Sequence, residues 1–239
     1  MRRGHPFEGV IGDTWDSRAD AWEEVARSDA FVRLRDVLME VAAATADDTV
    51  LDLGSGTGLL TLAAARKACR VIALDASAEM LARTARNVRA EGMDDVELIH
   101  GDMRRIPLPD ESVDLVVSSY AFHHLGDDGK ELAAAEALRV LRPGGRLVVV
   151  DMMFQLSLRG RDRRIIASKV GALLRRGPAG VWRLGKNAVR IARRRWEQPA
   201  SIEWWAKMLE RRGFADVDVR ALEHEAGLAV GTKPAVIRH

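Results

Sequence analysis

Cysteine is nearly missing from this chain: Cys69 is the only one in 239 residues. A single thiol closes no internal disulfide and builds no thiolate metal cluster. A disulfide-stapled secreted scaffold and a cysteine-ligated zinc site are therefore excluded. Long apolar runs are missing too. No stretch of about 18 consecutive apolar residues occurs, so nothing in the sequence reads as a membrane-spanning helix. The opening Met1-Arg2-Arg3-Gly4-His5-Pro6 is charged but has no apolar segment behind it, so no secretion signal is expected and the expected location is cytoplasmic. Tyrosine occurs once, as Tyr120. The rest of the composition is ordinary for a globular protein: 47% hydrophobic and 30% charged residues rule out wholesale disorder. A chain of this length buries roughly 70–75% of its unfolded surface and needs no staple.

The net charge of +2 hides a separation. Residues 155–196 hold 13 Lys and Arg against the single acid Asp162, a net of +12, whereas the remainder holds 24 basic against 34 acidic residues, a net of −10. The chain is an acidic body carrying one basic block.

From Val50 onward, short apolar runs alternate with longer amphipathic ones. Strands are expected over 50–53, 70–74, 96–99, 113–118 and 146–151, and helices over 59–67, 78–90 and 132–141. The last of these helices should stop at the turn signal Arg142-Pro143-Gly144-Gly145. Strands alternating with helices imply parallel strands joined by right-handed crossovers. The fold class expected is a doubly wound α/β domain. Before it, 14–44 reads as one or two helices that include Trp15 and Trp22. After the basic block, 202–211 reads as a helix, with closing strands over 214–222 and 226–232.

In an open α/β sheet a ligand binds beyond the carboxyl ends of the strands. The first strand–loop–helix is Val50-Leu51-Asp52-Leu53-Gly54-Ser55-Gly56-Thr57-Gly58-Leu59-Leu60. Its glycines let the backbone turn tightly and approach a ligand, and the helix that follows offers free N–H groups. A dinucleotide fingerprint asks for glycine three residues after Gly56, but Leu59 stands there, which disfavours nicotinamide and flavin dinucleotides. Asp75 ends the second strand, 21 residues after Gly54, where a carboxylate can accept both hydroxyls of a ribose. As a lone residue it reads more readily as a helix cap; beside the glycine loop, ribose binding is the better reading. Gly101-Asp102-Met103 follows the third strand. There a carboxylate can accept from a purine amine while Met103 and Met80 pack on the ring faces.

These stretches occur in order with Val113-Asp114-Leu115-Val116-Val117-Ser118-Ser119-Tyr120, Leu141-Arg142-Pro143-Gly144-Gly145-Arg146-Leu147 and Gly213-Phe214-Ala215-Asp216-Val217. Together they strongly resemble the class I S-adenosylmethionine-dependent methyltransferases, most of all the branch containing quinone-biosynthesis and other small-molecule enzymes. The resemblance covers about 45–151 and 200–233. It implies a Rossmann-like seven-stranded sheet whose last strand is antiparallel, with S-adenosyl-L-methionine as cofactor. Gly54, Ser55 and Gly56 would line the methionine part of that cofactor. Asp75, followed by Ala76, would hold the ribose, and Asp102 and Met103 the adenine, with Met80 on the ring. Ser119 would lie under the sulfonium, and Asp52 would order the glycine loop or a bridging water.

Direct displacement from a sulfonium asks the protein for positioning, desolvation and, where the nucleophile carries a proton, a base. Candidates cluster in Tyr120-Ala121-Phe122-His123-His124-Leu125. Imidazole titrates near neutral pH, so His123 or His124 is the candidate base, with His123 slightly preferred, and Tyr120 stands beside them. The plainer reading keeps one histidine structural and makes the other a helix cap. No metal is expected at the pair. The Asn/Asp-Pro-Pro-aromatic run of enzymes that methylate exocyclic amines of nucleic acid bases is replaced here by Ser118-Ser119-Tyr120-Ala121. The single cysteine argues against arsenic methylation.

The basic block reads as two amphipathic helices broken at Gly177-Pro178-Ala179-Gly180. It can cover the pocket with its arginines in solvent, or dock on an anionic membrane surface at the inner face of the membrane. Only Trp182 and Trp196 interleave as stacking aromatics, which is thin for a nucleic-acid groove. The expected organisation is one methyltransferase domain: an N-terminal helical cover over 1–44, a cofactor-binding core over 45–151, a basic helical lid over 152–200, and a closing helix and strands over 201–239. The expected activity is methyl transfer to a small, apolar or lipid-like acceptor, or else to a soluble metabolite or natural product. A dinucleotide-dependent oxidoreductase and a non-catalytic cofactor-binding module stay open as alternatives. The oligomeric state is not written in the sequence.

Overall fold

The computed structural model describes residues 28–93, 95–154 and 198–235, together with Glu23 and a few single positions between 160 and 171. Among the described residues, seven strands form one sheet: β1 (Thr49–Leu53), β2 (Arg70–Asp75), β3 (Glu97–His100), β4 (Val113–Ser119), β5 (Leu141–Met152), β6 (Ala215–Ala221) and β7 (Ala226–Thr232). The described helices are α1 (Asp29–Ala42), α2 (Leu59–Ala65), α3 (Ala78–Ala90), α4 (Asp127–Val140) and α5 (Ile202–Arg211). The strand order is β3-β2-β1-β4-β5-β7-β6. β1 to β5 pair in parallel, and β7 inserts antiparallel between β5 and β6. The doubly wound class, the seven strands and the antiparallel last strand all match the expectation. Trp15, Trp22 and nearly all of the basic block lie outside the described residues. No described helix is long and apolar enough to cross a membrane.

Strand side chains alternate between two cores because successive residues point to opposite faces. Val50, Val148 and Val150 join the cluster under α1 and α2, while Leu51, Leu53, Leu147 and Val149 join the cluster that holds α4 and α5. Trp205 of α5 is buried in the latter, edge-on to Phe122 at 5.3 Å.

Two boundaries differ from expectation by more than two residues. α4 begins at Asp127 rather than 132, because Gly126 takes an extended cap conformation and Asp127 and Asp128 occupy the first turn, where negative charge complements the helix dipole. The expected turn 142–145 is absorbed into β5. Gly144, at φ +83°, makes the bend and donates its N–H to Lys233 O at 2.8 Å, while Lys233 N–H donates to Gly145 O at 2.8 Å. Lys233, the residue after β7, thus ties the bend into the ladder.

Candidate active site

The carboxyl ends of β1 to β4 open on one cavity of about 310 Å³, inside the range of small-ligand sites. The loop from β1 to α2 forms its floor and is laced from outside. Gly54 N–H and Ser55 N–H both donate to Leu74 O, at 2.8 and 3.1 Å. From α3, Thr84 Oγ1 donates to Gly56 O and Asn87 Nδ2 to Thr57 O, each at 2.8 Å. Gly54 has φ +72°, and a Cβ there would stand 2.4 Å from Ala121 Cβ, so this position admits glycine alone.

Asp75 ends β2 with both carboxylate oxygens engaged: Oδ2 accepts from Gly56 N–H and Oδ1 from Ser77 N–H, each at 2.8 Å. The carboxylate keeps acceptor capacity for a ligand. Burial pushes Asp75 above the ordinary carboxylate range, against the pull of its backbone hydrogen bonds. Asp52, 1% exposed, accepts from Thr61 Oγ1 at 2.6 Å. Burial, opposed by that hydrogen bond and reinforced by the charge of Asp75, pushes Asp52 up to about 7. Asp102 is engaged by its neighbour: Arg104 donates its backbone N–H at 2.8 Å, Nε to both oxygens at 2.9 Å, and Nη2 as well. Burial would raise Asp102, but the hydrogen bonds and charge of Arg104 prevail and hold it below the usual carboxylate value. The carboxylate expected to take a purine amine thus already has a guanidinium on it.

Asp52, Gly54, Ser55, Gly56, Asp75 and Ala76 all stand on the cavity wall, as do Met80, Asp102, Met103 and Ser119. Tyr120 and His124 join them. Tyr120 has φ +53°, a conformation rare for a non-glycine residue and one that recurs where a site over-determines the backbone. Its N–H donates to Val150 O at 2.8 Å, and its ring lies 4.7 Å from that of Phe31. The slight preference for His123 does not match the placement. His123 is 3% exposed, turned onto Asp151 and absent from the wall, because the turn after β4 swings one histidine inward and the next toward the cavity.

Phe31, Arg35 and His100 also line the cavity, and sequence reasoning had not singled them out. Phe31 and Arg35 come from α1, which carries no motif. Their spacing of four, one helical turn, puts them on one face and was the only available signal. Arg35 donates from Nε and Nη2 to the adjacent Asp36, at 2.9 and 2.6 Å.

A cofactor fits what is present. Ser55 Oγ is buried on the wall with no hydrogen-bond partner among the described residues, and such an orphan calls for a ligand atom. Asp52 and Asp75 on the same wall suit a ligand that donates hydrogen bonds or carries positive charge.

Fold and cavity define a doubly wound α/β protein that holds a ligand where its strand order reverses. Residues 50–145 match the family model described as a methyltransferase domain. An uncharacterised methyltransferase of Geobacillus sp. (strain WCH70) is 31% identical over 177 residues, 73% of this chain and 78% of that one. The demethylmenaquinone methyltransferase of Clavibacter sepedonicus is 32% identical over 201 residues, 81% of this chain and 76% of its own. Among solved structures, an S-adenosylmethionine-dependent methyltransferase from Aquifex aeolicus aligns with TM-score 0.63 at 21% identity, over 91% of this chain and 97% of that one. The cyclase SpnF aligns with TM-score 0.68 at 19% identity, over 96% and 98%. The chain belongs to the class I S-adenosylmethionine-dependent methyltransferases.

Proposed function

We propose that this enzyme methylates a small, apolar, aromatic acceptor by direct displacement. The observation that carries the reading is the composition of the wall beyond the glycine loop: Phe31, Tyr120, Ala121 and Leu125, with His124 among them. An apolar wall with one imidazole on it suits a flat acceptor whose nucleophilic atom carries a proton. The activity named for the Clavibacter relative, on a demethylated menaquinone, supports the same class.

S-adenosylmethionine, when bound, supplies the methyl group together with its leaving group. The glycine loop, Ser55 and Asp75 would hold it, and Arg35 on the same wall would take its carboxylate. Phe31 and Tyr120 orient the acceptor ring and exclude water, and His124 accepts the acceptor's proton on an imidazole nitrogen. The test is methyl-labelled S-adenosylmethionine with naphthohydroquinone, a catechol and a polar amine, each followed by solvent partition. Label in the organic phase with the first two supports the reading. Label on the polar amine alone redirects the search to soluble metabolites. Binding of cofactor with no transfer to any acceptor counts for a non-catalytic module.

A further inference from the structure

The short 3-10 turn Phe122–His124 after β4 is held by groups that themselves stay off the cavity wall. Asp151, near the end of β5 and 1% exposed, is the centre of this arrangement. Its Oδ2 accepts from His123 backbone N–H at 3.2 Å, and its Oδ1 accepts from Met152 backbone N–H at 2.6 Å. The same Oδ1 lies 2.6 Å from His123 Nδ1. Two backbone donors already make this carboxyl an acceptor, so the hydrogen of the third bond sits on Nδ1. The backbone carbonyl of His123 accepts from Gln198 N–H at 2.6 Å, and that of Leu125 from Lys130 Nζ at 2.7 Å.

These bonds pin the wall. His124 and Leu125 line the cavity, and the His123 ring lies 3.9 Å, centroid to centroid, from His124 and edge-on to Tyr120 at 5.8 Å. Apolar packing would fill the same space without the desolvation cost of a buried polar pair. It would not fix the rotation of a ring. One carboxylate bonded to both the backbone and the ring of a single residue does that, and the fixed ring is the surface against which His124 and Tyr120 rest.

We propose that His123 and Asp151 form a positioning pair for methyl transfer, setting the orientation of His124 and Tyr120 without touching the acceptor. The inference rests on the reading of that wall as the acceptor side. Its test compares Asp151→Asn, His123→Leu and His123→Asn in the full-length enzyme. The asparagine places an amide donor near the position of the imidazole Nδ1, so it is the conservative variant. S-adenosylhomocysteine affinity, measured by calorimetry, should stay at the wild-type value in all three, because the glycine loop and Asp75 are untouched. With naphthohydroquinone as acceptor, Asp151→Asn and His123→Leu should lower kcat by roughly 100-fold with KM for S-adenosylmethionine unchanged, the scale expected when a reacting geometry is displaced. His123→Asn, which keeps a donor toward Asp151 but loses the ring, should recover part of it. In histidine-labelled protein, the ring resonances of His124 should move in Asp151→Asn, where the His123 ring remains but loses its anchor, with those of His100 unmoved.

A His124 signal indifferent to Asp151→Asn overturns the proposal, whether or not any acceptor is turned over. Loss of S-adenosylhomocysteine affinity in step with kcat also overturns it, since the pair would then hold the fold as a whole. A wild-type enzyme inert toward naphthohydroquinone refutes the acceptor class, while the His124 resonances still decide the pair.

Discussion

Asp52 is a carboxyl held inside the protein beside a second one, and its environment makes stability depend on pH. Its value rises from 3.8 to about 7 on folding, because burial disfavours the charge, with the Thr61 hydrogen bond opposing and Asp75 adding. Between those values the folded protein holds a proton that the unfolded chain has released. The stabilising contribution is therefore full below about 4 and fades as pH rises through 7. A shift of this size corresponds to roughly 4 kcal/mol at most. Asp52→Asn, which can still accept from Thr61, should remove this slope, so that urea unfolding at pH 5 and pH 8 gives closer stabilities than in wild type. An equal slope in both proteins would place the proton elsewhere. Gly54 gives the second prediction at this scale. Gly54→Ala puts a methyl group 2.4 Å from Ala121 Cβ at a φ of +72°. Overpacking of this kind costs about 1–3 kcal/mol, and left-handed backbone adds about 1–2 more. Thermal unfolding should show that loss, and S-adenosylhomocysteine binding should fall with it.

Elements show where sequence reasoning reached and where it stopped. α3 and α5 match the expected 78–90 and 202–211 because Ser77 and Ser201 cap them with side chains that accept from Met80 N–H and Trp204 N–H, a signal written locally. The cofactor side was legible for the same reason, since each strand's last residues are contiguous with its loop. The acceptor side was not. Phe31 and Arg35 arrive from a helix without a motif, and His123 meets Asp151 across 28 residues only because β4 and β5 pair in parallel. Arg139 of α4 was missed too, although it stitches down the loop after β3. It donates to the carbonyls of Ile106 and Leu108 and to Asp110, each at 2.8 Å, and forks onto Glu136, whose Oε2 also accepts from Ile106 N–H. Arg139→Ala leaves two carbonyls without this donor and should cost about 2–3 kcal/mol in urea unfolding. Arg139→Lys should recover little, because an ammonium lacks the planar fork.

The order of the strands makes the molecule depend on its last two. β7 pairs with β5 over Arg146 to Met152 and with β6 on its other side, so the five parallel strands end on an edge that β7 alone covers. Ala226, Leu228 and Ala229 of β7 are buried, and Leu228 and Ala229 sit in the cores on opposite faces. A chain cut after Arg212 keeps the glycine loop, Asp75 and the cavity wall, and keeps α5 with Trp205. It nonetheless exposes one edge of β5, where four consecutive apolar residues, Leu147 to Val150, would offer an unpaired ladder to other chains. Light scattering and size-exclusion chromatography should therefore find the cut chain aggregated, although every residue assigned to the cofactor is present. A soluble truncated chain that still bound S-adenosylhomocysteine would mean that the parallel half folds alone and that β6 and β7 serve the acceptor side only.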